Sequence, residues 1–196
     1  MRRINLAGFL GPAACCVALA GCVTPRPALA PAPWEERAAE LQRARAWQLD
    51  GRAAVAVGGQ GWQASMTWRQ DGMLTELHLA GPLGVGAIVL ARTPEGLSLN
   101  GAPPSDTVVS ELEGRLGFAL PLDTLRYWLL GVPDPGMAFD MTRNDMNRAA
   151  QITQAGWTVM YDRYSVENGD WLPARLTLTR EGVRVRIAVD RWQVTR

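Results

Sequence analysis

Met73-Leu74-Thr75-Glu76-Leu77-His78-Leu79-Ala80-Gly81-Pro82-Leu83-Gly84-Val85-Gly86-Ala87-Ile88-Val89-Leu90 reads as two strands joined by a tight turn. Leu77 and Leu79 alternate with Glu76 and His78, the two-residue period of a strand with one buried face. Ala87 to Leu90 is apolar throughout, as in a strand covered on both sides. Between them, Gly81, Pro82, Gly84 and Gly86 supply turn dihedrals and little packing surface. Leu83 is the odd member, a large apolar side chain at a tip that normally sits in water. Turn chemistry leaves two readings open. Leu83 folds back onto the sheet, or it points outward from a protruding loop towards something apolar.

The same punctuation continues on both sides. Upstream, Trp47, Leu49, Gly51, Ala53, Val55 and Val57 alternate with Gln48, Asp50 and Arg52. Gly58-Gly59-Gln60-Gly61 turns the chain, and Trp62, Ala64, Met66 and Trp68 alternate in their turn. Downstream, strands are expected at 97–99, 138–141, 149–153, 157–161 and 172–179. The last strand alternates Val183, Val185, Ile187 and Val189 with arginines, and that register puts Trp192 on the arginine side unless a bulge intervenes. Short strands joined by tight turns make an antiparallel meander. One helix precedes it and two interrupt it. Pro33 opens the first, expected from Trp34 to Trp47, with Glu35 and Glu36 early and Arg43 and Arg45 late. Ser105-Asp106 caps a second that runs to Leu116, and Pro121 opens a third over 122–130, stopped by Gly131 and Pro133. The last two carry apolar faces and should lie against one side of the sheet. There is no internal repeat and no second domain.

The amino terminus reads as a targeting segment. Arg2 and Arg3 precede an apolar run, Leu6 to Ala20, that is too short and too interrupted by Pro12 to span a bilayer. It ends in Leu19-Ala20-Gly21-Cys22, which resembles the bacterial lipoprotein box: small residues before the cut, then a thiol that can take a diacylglycerol in thioether linkage. Residues 1–21 are therefore expected to be a lipoprotein signal peptide, 22–33 a lipidated Cys22 with a proline-rich tether, and 34–196 one folded domain. Cys15 and Cys16 would leave with the leader, so no disulfide framework is available. The 175 residues from Cys22 onward are enough for a substantial core. Their formal charge of about −1 offers no general attraction to nucleic acid or anionic lipid. In proteobacterial lipoproteins an aspartate after the lipidated cysteine signals inner-membrane retention. Val23 stands there instead, which points to the outer membrane.

Catalytic chemistry is not in view. His78 is the single histidine, on the polar side of a strand, so neither a zinc site nor any other metal centre is expected. No Gly-x-Ser-x-Gly elbow or phosphate-binding glycine loop occurs, and Asp50, Glu76 and Asp140 are scattered without pairing. No enzyme activity and no cofactor are expected. What stands out is apolar surface, including eight tryptophans, along one alternating face. Composition alone favours an ordinary core; the alternative is a cavity for lipid.

Several stretches together resemble the family of the outer-membrane lipoprotein receptor LolB. They are 47–52 (Trp-Gln-Leu-Asp-Gly-Arg), 62–70, 81–84 (Gly-Pro-Leu-Gly), 116–121, 125–133, 154–161 and 172–176, in this order behind the lipoprotein box. The resemblance implies a mainly β protein with some α: a single-domain, unclosed antiparallel β-barrel of about eleven strands, with short helices covering the open face. It also implies a monomer anchored at the periplasmic face of the outer membrane. Such a receptor takes lipoproteins from the soluble periplasmic carrier LolA, holds their acyl chains in an apolar cavity and releases them into the membrane. Pro82, Leu83 and Gly84 would form the membrane-insertion loop, with Leu83 pointing outward. Trp62, Met66, Trp68, Leu77, Leu79, Ile88, Leu90, Val159 and Leu176 would wall the acyl-chain cavity, with Leu125, Trp128 and Leu129 from the covering helix. Two alternatives are a lipoprotein of similar fold that binds or senses another amphiphile, and a structural envelope lipoprotein with a filled core.

Overall fold

A computed structural model describes residues 33–195. The expected leader, Cys22 and the tether up to residue 32 lie outside the described residues. Helix α1, Trp34–Arg43, opens with Glu35 and Glu36 at its positive end and closes with Arg43 at its negative end. It stops sooner than the sequence pattern suggests. Ala44 leaves the helical conformation, and Trp47 joins strand β1, Ala46–Val57, where its ring stacks on Trp68 at 6.0 Å between centroids. A tryptophan facing the sheet interior buries far more apolar surface there than on a thin helix stripe.

The strands that follow are β2 (Gln60–Asp71), β3 (Leu74–Ala80), β4 (Ile88–Thr93) and β5 (Gly96–Leu99). After two helices, α2 (Asp106–Leu116) and α3 (Leu122–Leu129), come β6 (Phe139–Arg143), β7 (Ala149–Gln154), β8 (Trp157–Glu167), β9 (Asp170–Arg180) and β10 (Val183–Thr195). All pair antiparallel in one sheet, in the order β5-β4-β3-β2-β1-β10-β9-β8-β7-β6. Two meanders thus meet at β1 and β10, and the outer strands β5 and β6 are not paired to each other. The sheet is an unclosed barrel of ten strands among the described residues, against the expected eleven or so. The chain crosses from one edge to the other through α2 and α3, which lie over the apolar face. Ser105 caps α2 by accepting a hydrogen bond from the Val108 amide at 3.3 Å, and Val108, Leu112 and Leu116 are buried beneath it. Val109, which helical spacing in the sequence places on the same side, is instead exposed.

Trp192 departs from the simple register. Asp50 pairs with Arg191 but Gly51 pairs with Val189, so Asp190 is an extra residue in β10. This bulge returns Trp192 to the interior, where its indole donates to the Pro173 carbonyl at 3.0 Å. Gly51 makes it possible: a Cβ there would stand 2.3 Å from the Ala188 carbonyl oxygen.

Candidate functional site

The turn between β3 and β4 is a small closed loop. The Gly81 amide donates to the Val85 carbonyl at 3.1 Å and the Gly84 amide to the Gly81 carbonyl at 2.9 Å. A side chain on Gly81 would collide with the Val85 carbonyl oxygen at 2.6 Å, so the neck of the loop requires glycine. At the tip, Leu83 sits at φ 58° and ψ 21°, left-handed backbone that costs a branched residue about 1 kcal/mol or more. Its side chain is fully exposed, at 103% of the reference surface, and Val85 beside it is 73% exposed. The loop therefore presents an apolar tip to its surroundings, held there by a backbone that favours a smaller residue. Of the two readings left open by turn chemistry, the structure shows the outward one.

The residues expected to wall a cavity do come together. Met66, Trp68, Leu77, Leu79, Leu90, Leu125, Trp128, Leu129, Val159 and Leu176 are all buried in one cluster, and Trp62 and Ile88 pack half-buried at its border. Yet they fill the space they were expected to enclose. Trp68, Trp128, Leu129, Val159 and Leu176 have zero exposure, and a side chain with none adjoins no space that a water could enter. The reason lies in the covering helix. Trp128 of α3 packs against Trp157 at 6.5 Å, and Phe118 meets Trp157 edge-on at 5.9 Å. Trp62, Leu79 and Ile88 border an opening, a rim depression of about 220 Å³ beneath the Leu83 loop.

Polar groups that the sequence pattern did not single out hold α3 in place. The buried Gln154 accepts from the Trp128 indole at 3.0 Å and from the Asp134 amide at 2.9 Å. Its own amide donates to the carbonyls of Asp134 and Met137 at 2.8 and 3.1 Å. The Tyr161 hydroxyl donates to the Trp128 carbonyl at 2.9 Å. Burial pushes that hydroxyl well above the ordinary tyrosine range, with the neighbouring Tyr164 adding to the effect. Helix α1 is held more lightly, burying only Trp34 and Ala38. Arg37 ties it to the Trp171 carbonyl and to Asp170, and Gln42 donates to the Pro133 carbonyl at 2.9 Å.

A second opening, of about 520 Å³, lies at the end of the sheet where β1 begins. The carboxy-terminal end of α1, the β2–β3 turn and α3 enclose it. Arg43, Arg45 and Arg126 line it over Leu41, Trp47 and Leu130. The arginines at 43 and 45 read from sequence as helix-end charges; their convergence with Arg126 needs the fold. Among the described residues no cluster of side chains could hold a metal ion, and no helix is long and apolar enough to cross a membrane.

Comparison with known proteins adds the relatives. The family described as "Outer membrane lipoprotein LolB" matches residues 45–192. The outer-membrane lipoprotein LolB of Nitrosococcus oceani is 34% identical over 188 residues, covering 91% of this chain and 93% of that protein. Its counterpart in Pseudomonas putida is 33% identical over 167 residues, covering 83% and 82%. The one in Pseudomonas aeruginosa is 31% identical over 164 residues, covering 82% and 80%. Among solved structures, the LolA superfamily protein NE2245 of Nitrosomonas europaea superposes with a TM-score of 0.53 at 10% identity, over 83% of this chain and 92% of that one. That likeness is one of fold.

Proposed function

The chain belongs to the LolB family of outer-membrane lipoproteins, and on that footing we propose that it is the outer-membrane receptor that accepts lipoproteins from the soluble carrier LolA and inserts their acyl chains into the membrane. It is a trafficking protein rather than an enzyme. In this reading residues 1–21 are removed, Cys22 carries the lipid anchor, residues 22–33 tether the body, and the protein works as a monomer at the periplasmic face.

The observation that carries the reading is Leu83, a wholly exposed apolar side chain on a closed, glycine-necked loop. Nothing in its own fold rewards that exposure, whereas a bilayer does. The energies suit a passive relay. Burying a CH₂ is worth about 0.8 kcal/mol, so a ~16-carbon chain left in water costs on the order of 12 kcal/mol. Carrier, receptor and bilayer each offer a comparable apolar environment, and transfer runs downhill on the differences. Because the interior is filled, acyl chains gain access to the side chains under α3 only as the covering helices give way.

The test is a reconstituted relay, from loaded carrier to this protein and then to liposomes, with Leu83→Glu. The expected result is normal uptake from the carrier with release into liposomes blocked. Equal loss of both steps would overturn the assignment of the loop. The filled interior also suits a structural envelope lipoprotein. Fluorescent fatty-acid probes separate the two, since a structural protein does not bind them.

A further inference from the structure

We propose that the cleft between the end of α1, the β2–β3 turn and α3 binds an anionic phospholipid, its phosphate among Arg43, Arg45 and Arg126 and its chain along Leu41, Trp47 and Met73. The charge is unbalanced. No carboxylate lines the cleft, and none of the three arginines forms an ion pair among the described residues. Arg126 is fixed in position: one terminal nitrogen donates to the Tyr127 hydroxyl at 2.6 Å, and its guanidinium lies 4.5 Å over the Tyr127 ring. Its Nε, by contrast, is buried without an acceptor. The donors within reach of a ligand are therefore the part-exposed guanidinium of Arg126 where it lines the cleft, and the exposed guanidiniums of Arg43 and Arg45 beside it. A tetrahedral phosphate accepts from several guanidinium donors at once.

The apolar lining selects a lipid over free phosphate. Leu41, Trp47 and Leu130 line the cleft, and Met73 at its rim and Leu74 beside it are exposed. Bare phosphate gains nothing from those surfaces. The cleft sits at the carboxy-terminal end of α1, the helix that Arg37 fastens beside Asp170 and Trp171. The Leu83 loop lies at the opposite end of β3.

The test uses the full acylated chain in phosphatidylcholine vesicles doped with a photoactivatable phosphatidylglycerol that carries a diazirine in its acyl chain. Labels are mapped by mass spectrometry after illumination, and recovery of protein with the vesicles beforehand checks the anchor separately. Labelling is expected on peptides containing Leu41, Met73 and Leu130, and it falls roughly tenfold in Arg126→Gln. If that variant folds poorly, Arg43→Gln with Arg45→Gln carries the same expectation, because both side chains are exposed. Equal labelling by a photoactivatable phosphatidylcholine, or unchanged labelling in the arginine variants, would overturn the proposal. Displacement of the label by millimolar inorganic phosphate would also overturn it, by showing a site for the free anion.

Discussion

Gly51 and Leu83 are the two positions where backbone geometry and side-chain size decide most. Both were visible in the sequence, but for different reasons. Leu83 stood out by chemistry, as a large apolar residue among turn formers, and its direction required the left-handed backbone to be seen. Gly51 looked like one more inward position of an alternating strand. Its role follows from the extra residue Asp190 on the neighbouring strand, which no local pattern in β1 reports. The same bulge explains why Trp192 defied its register. Gly51→Ala is expected to lower stability by about 2 kcal/mol or more, because its Cβ meets the Ala188 carbonyl oxygen at 2.3 Å and backbone cannot step aside as a side-chain tip can. Urea unfolding measures it. A loss below about 0.5 kcal/mol would mean that the bulge relaxes without strain. Leu83→Glu, by contrast, should leave the unfolding free energy within about 0.5 kcal/mol of the parent, since the exposed side chain buries nothing in the fold.

Helix α3 was legible as an element, because Pro121 opens it, Gly131 and Pro133 end it, and leucines with Trp128 form its inner face. What fixes it against the sheet was not legible. Gln154 reads locally as a turn residue before Ala155-Gly156, and Tyr161 as one more aromatic on a strand. Only the packed fold brings both to Trp128. Tyr161 gives this contact a pH signature. Below a pH of about 10, both folded and unfolded chains keep the phenolic proton and the hydrogen bond contributes in full. Above it the unfolded chain releases the proton while burial holds it in the folded one, so stability falls as pH rises towards the higher folded value. Tyr161→Phe is expected to cost about 1 kcal/mol at pH 8. Its deficit should then shrink by about 1.4 kcal/mol per pH unit above ~10, because the variant has no proton there to lose. Denaturant titrations at pH 8, 10 and 11 read both quantities. A deficit independent of pH would show that the Tyr161 hydroxyl reaches water in the folded state.

Alternation along ten strands told which side chains face inward, and most of the cavity candidates do lie on that face. It could not tell whether the face encloses space, because a filled and a hollow half-barrel share the same two-residue period and differ only in how deeply the covering helices settle. Here they settle fully, so any acyl chain competes with α3 for the same apolar surface. A ~16-carbon chain brings on the order of 12 kcal/mol of burial to that competition, against the buried Leu122, Leu125, Trp128 and Leu129 of α3 at about 1.5–3 kcal/mol each, so the two are closely matched and the polar ties of α3 tip the balance. Weakening those ties should therefore separate two quantities that normally move together. Gln154→Ala leaves the Trp128 indole and the Asp134 amide without their acceptor and is expected to lower stability by about 2–3 kcal/mol. The same change makes the covering helix easier to lift, so affinity for a fluorescent fatty acid should rise while the unfolding midpoint drops. Parallel measurement of probe titration and thermal unfolding decides the point. If affinity falls along with stability, α3 is part of the binding surface rather than its cover, and acyl chains must enter by a route that leaves Trp128 in place.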